Sequence, residues 1–275
     1  MLKLLKTEKF GSIQVLLLEN DIGRLEVIVD TSISTIALST SYGCGLNCAG
    51  CDMPGINKDI KGANVSVEEL VEQVKYALVS EPVMKDTVYL IIKFSHIGEP
   101  TINPYILVAV DEIKKLFNTR VMFMLNTVMP SKDCNHNIYK FFSHWVDRGD
   151  TFFNVNCYST DASIRTKLLG DSVADLKTIS EQVKCDTQKI FLTFYTQYPF
   201  DPNVIIELFD PIHFRIRFIN PVEKIEESIL LEMAKELWNK GFDIESYGLL
   251  DKKQELIRGC GNMLYQTKTL IISSP

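Results

Sequence analysis

The chain has 275 residues, seven cysteines and a net charge of −6; 46% of its residues are hydrophobic and 23% are charged. This composition is typical of a globular protein with one large α/β domain or two small ones. The apolar runs are too short to span a bilayer, and residues 1–6 lack the apolar core of a signal peptide. An odd number of cysteines fits a reducing compartment, and the negative charge disfavours a broad nucleic-acid surface. We therefore predict a cytoplasmic protein with no membrane segment.

The first part of the chain is predicted to form a hairpin that leads into a sheet. An apolar run at residues 13–18 and another at 24–30 flank turn-forming residues, a pattern typical of a β-hairpin. A third strand is predicted at 34–39. A capping box at residues 66–69 then begins a helix, predicted over 67–79 from its apolar periodicity.

Strand and helix patterns alternate along the rest of the chain. Residues 88–94 form an apolar run typical of a strand buried on both faces, and Asn103, followed by Pro104, is predicted to cap a helix. Further strands are predicted at residues 121–125, 152–157, 190–195 and 214–219. Further helices are predicted at residues 137–146, 162–169 and 175–183, after Asp201-Pro202, and at 228–240.

Six successive strand–helix units predict an α/β fold with a parallel sheet and right-handed crossovers. Because six units are too few for a closed eight-unit barrel, we expect an open, partial (β/α)6 barrel over residues 34–275. A β-hairpin extension over residues 1–33 would precede it. In such sheets the chemistry lies at the carboxyl ends of the strands. Polar groups fall at those ends in this sequence: a cysteine loop, Gly98-Glu99-Pro100, Asn126, Asn156 and Asn220.

The cysteine loop contains Cys44, Cys48 and Cys51, separated by three and then two residues. Thiolates are soft ligands that favour iron–sulfur clusters and zinc. Structural zinc is closed by four protein ligands, whereas three thiolates on a [4Fe-4S] cluster leave one iron open to bind another molecule. The spacing therefore favours a [4Fe-4S] cluster. A zinc knuckle and three unrelated buried thiols are the alternatives.

The spacing of these cysteines resembles the signature of the radical S-adenosylmethionine (SAM) superfamily. Residues 39–51 and several later segments are similar to the radical SAM adenine methyltransferases that act on RNA. These are the dual-specificity rRNA/tRNA C2 methyltransferases and their C8 relatives that confer antibiotic resistance. The later segments are Gly98-Glu99-Pro100 with Asn103, residues 119–130, Asp161 to Arg165, residues 218–221, and residues 258–264 around Cys260.

The resemblance implies a role for each matching position. Cys44, Cys48 and Cys51 would hold the cluster, with SAM on its open iron. Cys260 would be the catalytic cysteine that takes a methyl group from one SAM and passes its carbon to the substrate. An external flavodoxin- or ferredoxin-like protein would supply the electron. The residues implied to contact SAM are Gly98, Glu99, Asn126, Asn156 and Asn220.

Three features depart from the methyltransferase pattern. Ala37 stands where that family has a second cysteine, which resolves the methylated intermediate; Cys157, Cys185 or Cys134 would have to replace it. Gly50 stands where an aromatic residue usually precedes the last cluster cysteine. The chain also begins at the hairpin, without the family's N-terminal helical RNA-binding domain. Glu26 on the hairpin matches the family's proton-accepting glutamate, and a solvated strand carboxylate is its alternative.

Three hypotheses about function follow. The first is a methyltransferase-like radical SAM enzyme that uses Cys260 on RNA, a nucleotide or a small molecule. The second is a 5′-deoxyadenosyl-radical enzyme that acts on a small molecule or peptide without methyl transfer. The third is a non-catalytic protein that binds a cluster. Cys260 favours the first hypothesis, Ala37 favours the second, and Glu99 with the asparagines at the strand ends would be unnecessary for the third.

Overall fold

The computed structural model describes residues 1–46, 48, 49, 51, 62–131, 141, 143–145, 147–183, 190–221 and 227–250. The fold is mixed α/β. Its contacts divide the chain into two units. Unit 1 is described over residues 1–46, 51 and 62–125, and unit 2 over residues 48 and 49 and from residue 126 onward. No helix in the described residues is both long and apolar enough to cross a membrane.

Unit 1 combines an antiparallel meander with a short parallel sheet. Strands β1 to β4 pair in order and antiparallel, and β4, β5 and β6 continue in parallel. The strands are β1 (Lys3–Phe10), β2 (Ile13–Glu19), β3 (Arg24–Asp30), β4 (Thr35–Leu38), β5 (Leu90–Phe94) and β6 (Val121–Thr127), the last two residues of which belong to unit 2.

The two faces of this sheet have different neighbours. Helix α1 (Val67–Ser80) contacts β2, β3, β4 and helix α2 (Ile106–Lys114). Alternation along the strands places Ile28 of β3 and its partner Ala37 of β4 on one common face. That face carries an apolar cluster, which we define as Ile13, Val15, Leu17, Ile28 and Ile97.

Unit 2 contains four parallel strands that alternate with helices. The strands are β7 (Thr151–Tyr158), β8 (Ile190–Tyr195), β9 (Phe214–Pro221) and β10 (Asp243–Leu250), paired in that order. The helices are α3 (Ala162–Leu169), α4 (Leu176–Gln182), α5 (Pro202–Leu208) and α6 (Glu227–Asn239). The side chains of Asp161, Asp175 and Asp201 cap the first three helices by accepting backbone N–H bonds.

Most predicted elements are confirmed, with shifts of one or two residues at their ends. The capping box of α1 forms as expected, with Ser66 and Glu69 bonded reciprocally. The strands β1 and β10 were not predicted. The helix predicted at 137–146 lies largely outside the described residues. The partial barrel and the boundary after residue 33 stay predictions.

The prediction that Asn103 caps a helix is wrong. Helix α2 begins at Ile106 after Tyr105, and Asn103 instead ends a short 3-10 turn at Pro100–Ile102. Its Nδ2 donates to the carbonyls of Thr40 and Val65, at 2.8 and 2.9 Å. A buried amide with two carbonyl partners binds separate loops together, while its Oδ1 accepts from the backbone N–H of Tyr105, the residue before the helix, at 2.8 Å.

Candidate functional site

The residue after β4 is held from two sides. Ser39 donates its backbone N–H to Oε1 of Gln73 on α1, and Nε2 of Gln73 donates back to the carbonyl of Ser39, at 2.9 and 3.0 Å. The Ser39 hydroxyl donates to the carbonyl of Glu26 on β3 at 2.6 Å. Ser39 and Gln73 are fully buried. The chain therefore enters the cysteine loop from a fixed point.

The next two residues are bonded to the segment after β5. The backbone N–H groups of Thr40 and Ser41 both donate to the carbonyl of Ile97, at 2.7 and 3.2 Å. Asn103 and Val65 hold the carbonyl of Thr40 from the other side. These bonds join the start of the cysteine loop to the segment that contains Gly98 and Glu99.

Gly98 lies at the closest approach of these two segments. Its φ is +98°, and a Cβ added there would collide with the Ser41 hydroxyl. Only glycine fits both the backbone conformation and the space. The next residue, Glu99, is 7% exposed, and its Oε1 accepts bonds from the backbone N–H and the hydroxyl of Thr101. The carboxylate is thus held in a mostly buried position.

Cys44 lies beside Glu99. Burial raises the pKa of the Cys44 thiol to about 11, and the negative charges of Glu99 and Cys51 raise it further. Backbone N–H groups of Leu46 and Glu99 oppose this by donating to the sulfur. The structure therefore brings together Cys44, Cys51 and Glu99. A neutral buried thiol is a ligand that loses its proton when a metal binds.

Cys51 packs against the apolar cluster, and so does Ala37. Cys44, Cys48 and Cys51 are all partly buried and free of disulfides. Three thiols are the ligands that iron–sulfur clusters favour. The described side chains of His, Cys, Asp and Glu do not gather in threes as a metal site, so cluster ligation by these three cysteines stays a prediction.

The predicted asparagines of unit 2 differ in their surroundings. The Oδ1 of Asn126, at the end of β6, is buried and has no hydrogen-bond partner among the residues that the structure describes. A buried oxygen without a hydrogen bond lowers the stability of the fold, and a hydrogen-bond donor of a bound ligand would satisfy it. The Oδ1 of Asn156 already accepts from Asn154 at 3.1 Å. Asn220 lies in β9, and its side chain is outside the described residues.

Among the other cysteines named in the predictions, the structure describes only Cys157. Cys260, Cys134 and Cys185, and also Gly50, lie outside the described residues. Cys157 is fully buried in β7, and burial raises its pKa to about 11. A thiol with no exposed surface is a poor candidate to resolve a protein–substrate adduct, so Cys157 does not replace the thiol that Ala37 lacks.

Sequence reasoning missed the partner of Glu26. The Oε2 of Glu26 lies 2.7 Å from Nε2 of His96, and the two side chains are 1% and 2% exposed. Glu26 is therefore not a solvated strand carboxylate. His96 precedes Gly98 by two residues, and its backbone N–H donates to the carbonyl of Leu38. An isolated histidine in an apolar segment of the sequence was the available signal.

The chain was compared with protein-family models, curated protein sequences and solved structures. No family model and no curated protein sequence matches the chain. It is similar to the crystal structure of Streptococcus suis SuiB bound to precursor peptide SuiA, with a TM-score of 0.50 and 13% identity over 78% of this chain and 49% of that one. The structure of SuiB bound to S-adenosylmethionine has a TM-score of 0.46 and 14% identity, over 78% of this chain and 47% of that one. The structure of SuiB alone has a TM-score of 0.49 and 15% identity, over 78% of this chain and 49% of that one.

The chain thus spans about half the length of the SuiB structures that it matches. At this identity the likeness shows the fold alone. It does not support the predicted resemblance to RNA methyltransferases, and the predicted radical SAM chemistry stays a prediction. The chain has a mixed α/β fold of the kind seen in SuiB.

Proposed function

We propose that this chain is a radical SAM enzyme whose substrate is a peptide. The observation that carries the proposal is the junction at Cys44, where the first cysteine of the loop lies beside the Gly98-Glu99 segment. Two sequence motifs, whose residues Cys44 and Gly98 are 54 positions apart, meet there through backbone bonds from Thr40 and Ser41 to Ile97. A non-catalytic cluster protein would need no buried carboxylate at this position.

The residues of the chain have distinct roles in this proposal. Cys44, Cys48 and Cys51 hold a [4Fe-4S] cluster, and the apolar cluster of unit 1 keeps water from Cys51. Glu99 accepts hydrogen bonds from the SAM ammonium group, an interaction strengthened by opposite charge. Asn126 offers its unpartnered Oδ1 to a donor of the ligand. When bound and reduced by an external electron donor, the cluster would supply one electron for cleavage of SAM to methionine and the 5′-deoxyadenosyl group, which would take hydrogen from the substrate.

A peptide is the better supported substrate class. The matched SuiB structure has a precursor peptide bound, and nothing in the comparisons supports methyltransferase-like character. The methyl-transfer alternative needs Cys260 and a second thiol. Ala37 supplies no thiol, and Cys157 is buried.

The test is product analysis after anaerobic reconstitution. Protein incubated with SAM and a strong reductant should form 5′-deoxyadenosine, and Cys44→Ala should form none. A pool of deuterated peptides should transfer deuterium into 5′-deoxyadenosine, whereas deuterated RNA should not. Cys260→Ala should keep this cleavage. Formation of S-adenosylhomocysteine that depends on Cys260 would instead establish methyl transfer, and transfer of deuterium from RNA alone would overturn the peptide assignment.

A further inference from the structure

The parallel strands of unit 2 have one apolar face and one polar face. On the apolar face, Val155, Leu192 and Ile216 are direct neighbours across β7, β8 and β9, and all are fully buried. Parallel sheets are normally apolar on both faces. Here the other face carries a polar row, which we define as Asn154, Asn156, Thr193, Arg217 and Glu245.

The polar row is a continuous network. The Thr193 hydroxyl donates to Oδ1 of Asn154 at 2.6 Å, and Nη1 of Arg217 donates to the same oxygen at 3.1 Å. The other side of the Arg217 guanidinium donates to Oε2 of Glu245 at 2.9 Å. The guanidinium also lies 4.2 Å from the ring centroid of Phe191. Asn154, Thr193 and Arg217 are at most 8% exposed, so these groups are held in one arrangement.

The charges on this face balance. Arg217 is the register partner of Glu245, and Arg215 is the partner of Asp243, with an Arg215–Asp243 distance of 3.2 Å. Two guanidinium groups therefore face two carboxylates. A face without net charge does not attract the phosphates of a nucleotide or nucleic acid. Amide, hydroxyl and carboxylate groups instead match the neutral donors and acceptors of a peptide backbone.

One residue with a strained backbone lies where this face ends. Tyr158, the last residue of β7, has a φ of +65°, and the N–H of Ser159 donates to the carbonyl of Cys157 across it. This is a γ-turn of the rare, strained kind with positive φ. A bulge precedes it, because Asn156 pairs with Thr193 but Tyr158 pairs with Phe194. Bulges and strained residues of this kind cluster at functional sites, where they redirect a side chain.

The strained turn places two tyrosines in a stack. The rings of Tyr158 and Tyr195 are 4.6 Å apart at 18°, and Tyr198 lies 6.3 Å from Tyr158. Tyr195 lies two residues after Thr193 on β8, so its side chain is on the same face as the polar row. Tyr158, Tyr195 and Tyr198 are all partly exposed. We define Tyr158 and Tyr195 as the tyrosine lip.

We propose that the tyrosine lip is a specificity site that takes an aromatic side chain of the peptide substrate, while Asn156 and Glu245, the partly exposed members of the polar row, contact the peptide backbone. The inference rests on the proposed function for its substrate class. Stacked rings select a further aromatic ring through quadrupole interactions that an aliphatic side chain lacks. Strain at Tyr158 persists because it holds the ring in this stack.

The test compares two probes that differ only in aromaticity, N-acetyl-L-phenylalanine amide and N-acetyl-L-cyclohexylalanine amide. Their dissociation constants are measured by ligand-observed NMR on the reconstituted full chain. The native protein should bind the aromatic probe about threefold tighter or more. Tyr195→Ala and Tyr158→Gly should abolish the preference, Tyr158→Phe should keep it, and Tyr89→Ala, at a tyrosine 55% exposed in unit 1, should also keep it.

If the two tyrosines only stabilise the fold, their variants should change the melting temperature and leave the binding preference unchanged. Because glycine relieves the positive φ, Tyr158→Gly should not lower the melting temperature if the strain serves binding. A lower melting temperature with an unchanged aromatic preference would overturn the proposal, as would equal binding of the two probes to the native protein.

Formation of 5′-deoxyadenosine is measured on the same samples. Its absence with an intact aromatic preference would reject the proposed function alone. Its presence without any aromatic preference would reject the tyrosine lip alone.

Discussion

The two units of this chain place opposite chemistry on one face of their sheets. In unit 1 the face that carries Ile28 and Ala37 is covered by the apolar cluster, and Cys51 packs against it. In unit 2 the face that carries Asn154 is a hydrogen-bonded row that includes Arg217. Apolar surroundings suit metal-binding thiols in general, because they exclude water. A neutral polar row suits recognition of a ligand with its own donors and acceptors.

The two units also differ in how they bury ionisable side chains. In unit 1 the side chains of Glu26 and His96 contact each other and are 1% and 2% exposed. In unit 2 the Arg217 guanidinium is shared among Glu245, Asn154 and the Phe191 ring. Removal of Glu26 takes a hydrogen bond from the buried His96 ring, whereas a network distributes the loss when one member is removed. The following predictions test this comparison.

The largest effect is expected at the cysteines. Replacing Cys44, Cys48 and Cys51 together with Ala should remove the cluster, which should amount to about four irons and four sulfides per native chain. Iron and sulfide assays with the visible absorption spectrum measure this. Cys157→Ala, at a fully buried thiol of unit 2, is the matched control and should keep the cluster. Stoichiometric zinc in the native protein would contradict the assignment.

Glu26→Ala should lower the free energy of unfolding by about 3–5 kcal/mol, because it leaves His96 buried without its partner. Urea denaturation near neutral pH measures the change. The control is Glu112→Ala, which breaks the exposed pair with Lys115 and should cost about 0.5 kcal/mol or less. Equal costs for the two variants would mean that burial of the Glu26–His96 pair has no energetic consequence.

Glu99→Gln should weaken SAM binding by about tenfold or more, because a charge-assisted hydrogen bond contributes roughly 1.5–3 kcal/mol. Calorimetric titration of the reconstituted protein measures the affinity. The amide is isosteric with the carboxylate, so the cluster should still assemble. Thr101→Val, which removes a hydroxyl donor to Glu99, is expected to have a smaller effect in the same direction. An unchanged affinity in Glu99→Gln would reject the role of this carboxylate.

The smallest changes in stability are expected from two opposite substitutions, one that places an apolar side chain in the polar row and one that places a polar side chain in the apolar cluster. Thr193→Val removes one donor to Asn154 and should cost about 1 kcal/mol, since Arg217 still donates to the same oxygen. Val15→Thr places a hydroxyl on the apolar cluster and should cost about 1–3 kcal/mol. Denaturation curves of both variants give the comparison. If Val15→Thr is the cheaper change, that face of unit 1 contains polar partners or water.

Much of the fold was predictable because local patterns decide it. The capping box at Ser66, the apolar periodicity behind it and the apolar run of β5 predicted their elements within two residues. Strand β1 was missed because five of its eight residues are exposed in succession and give no alternation. Asn103 was misassigned because its partners, Thr40 and Val65, are distant in sequence.

The sequence by itself determined which chemistry the chain carries. The spacing of Cys44, Cys48 and Cys51, and a Gly98-Glu99-Pro100 segment after a buried strand, are local patterns that need no coordinates. Only the tertiary structure decided which groups meet, because side-chain pairing across strands depends on register. It placed Glu99 beside Cys44, buried Glu26 against His96, and aligned Asn154, Thr193 and Arg217 on one face. A shift of one residue in any of these strands would turn its side chains to the opposite face.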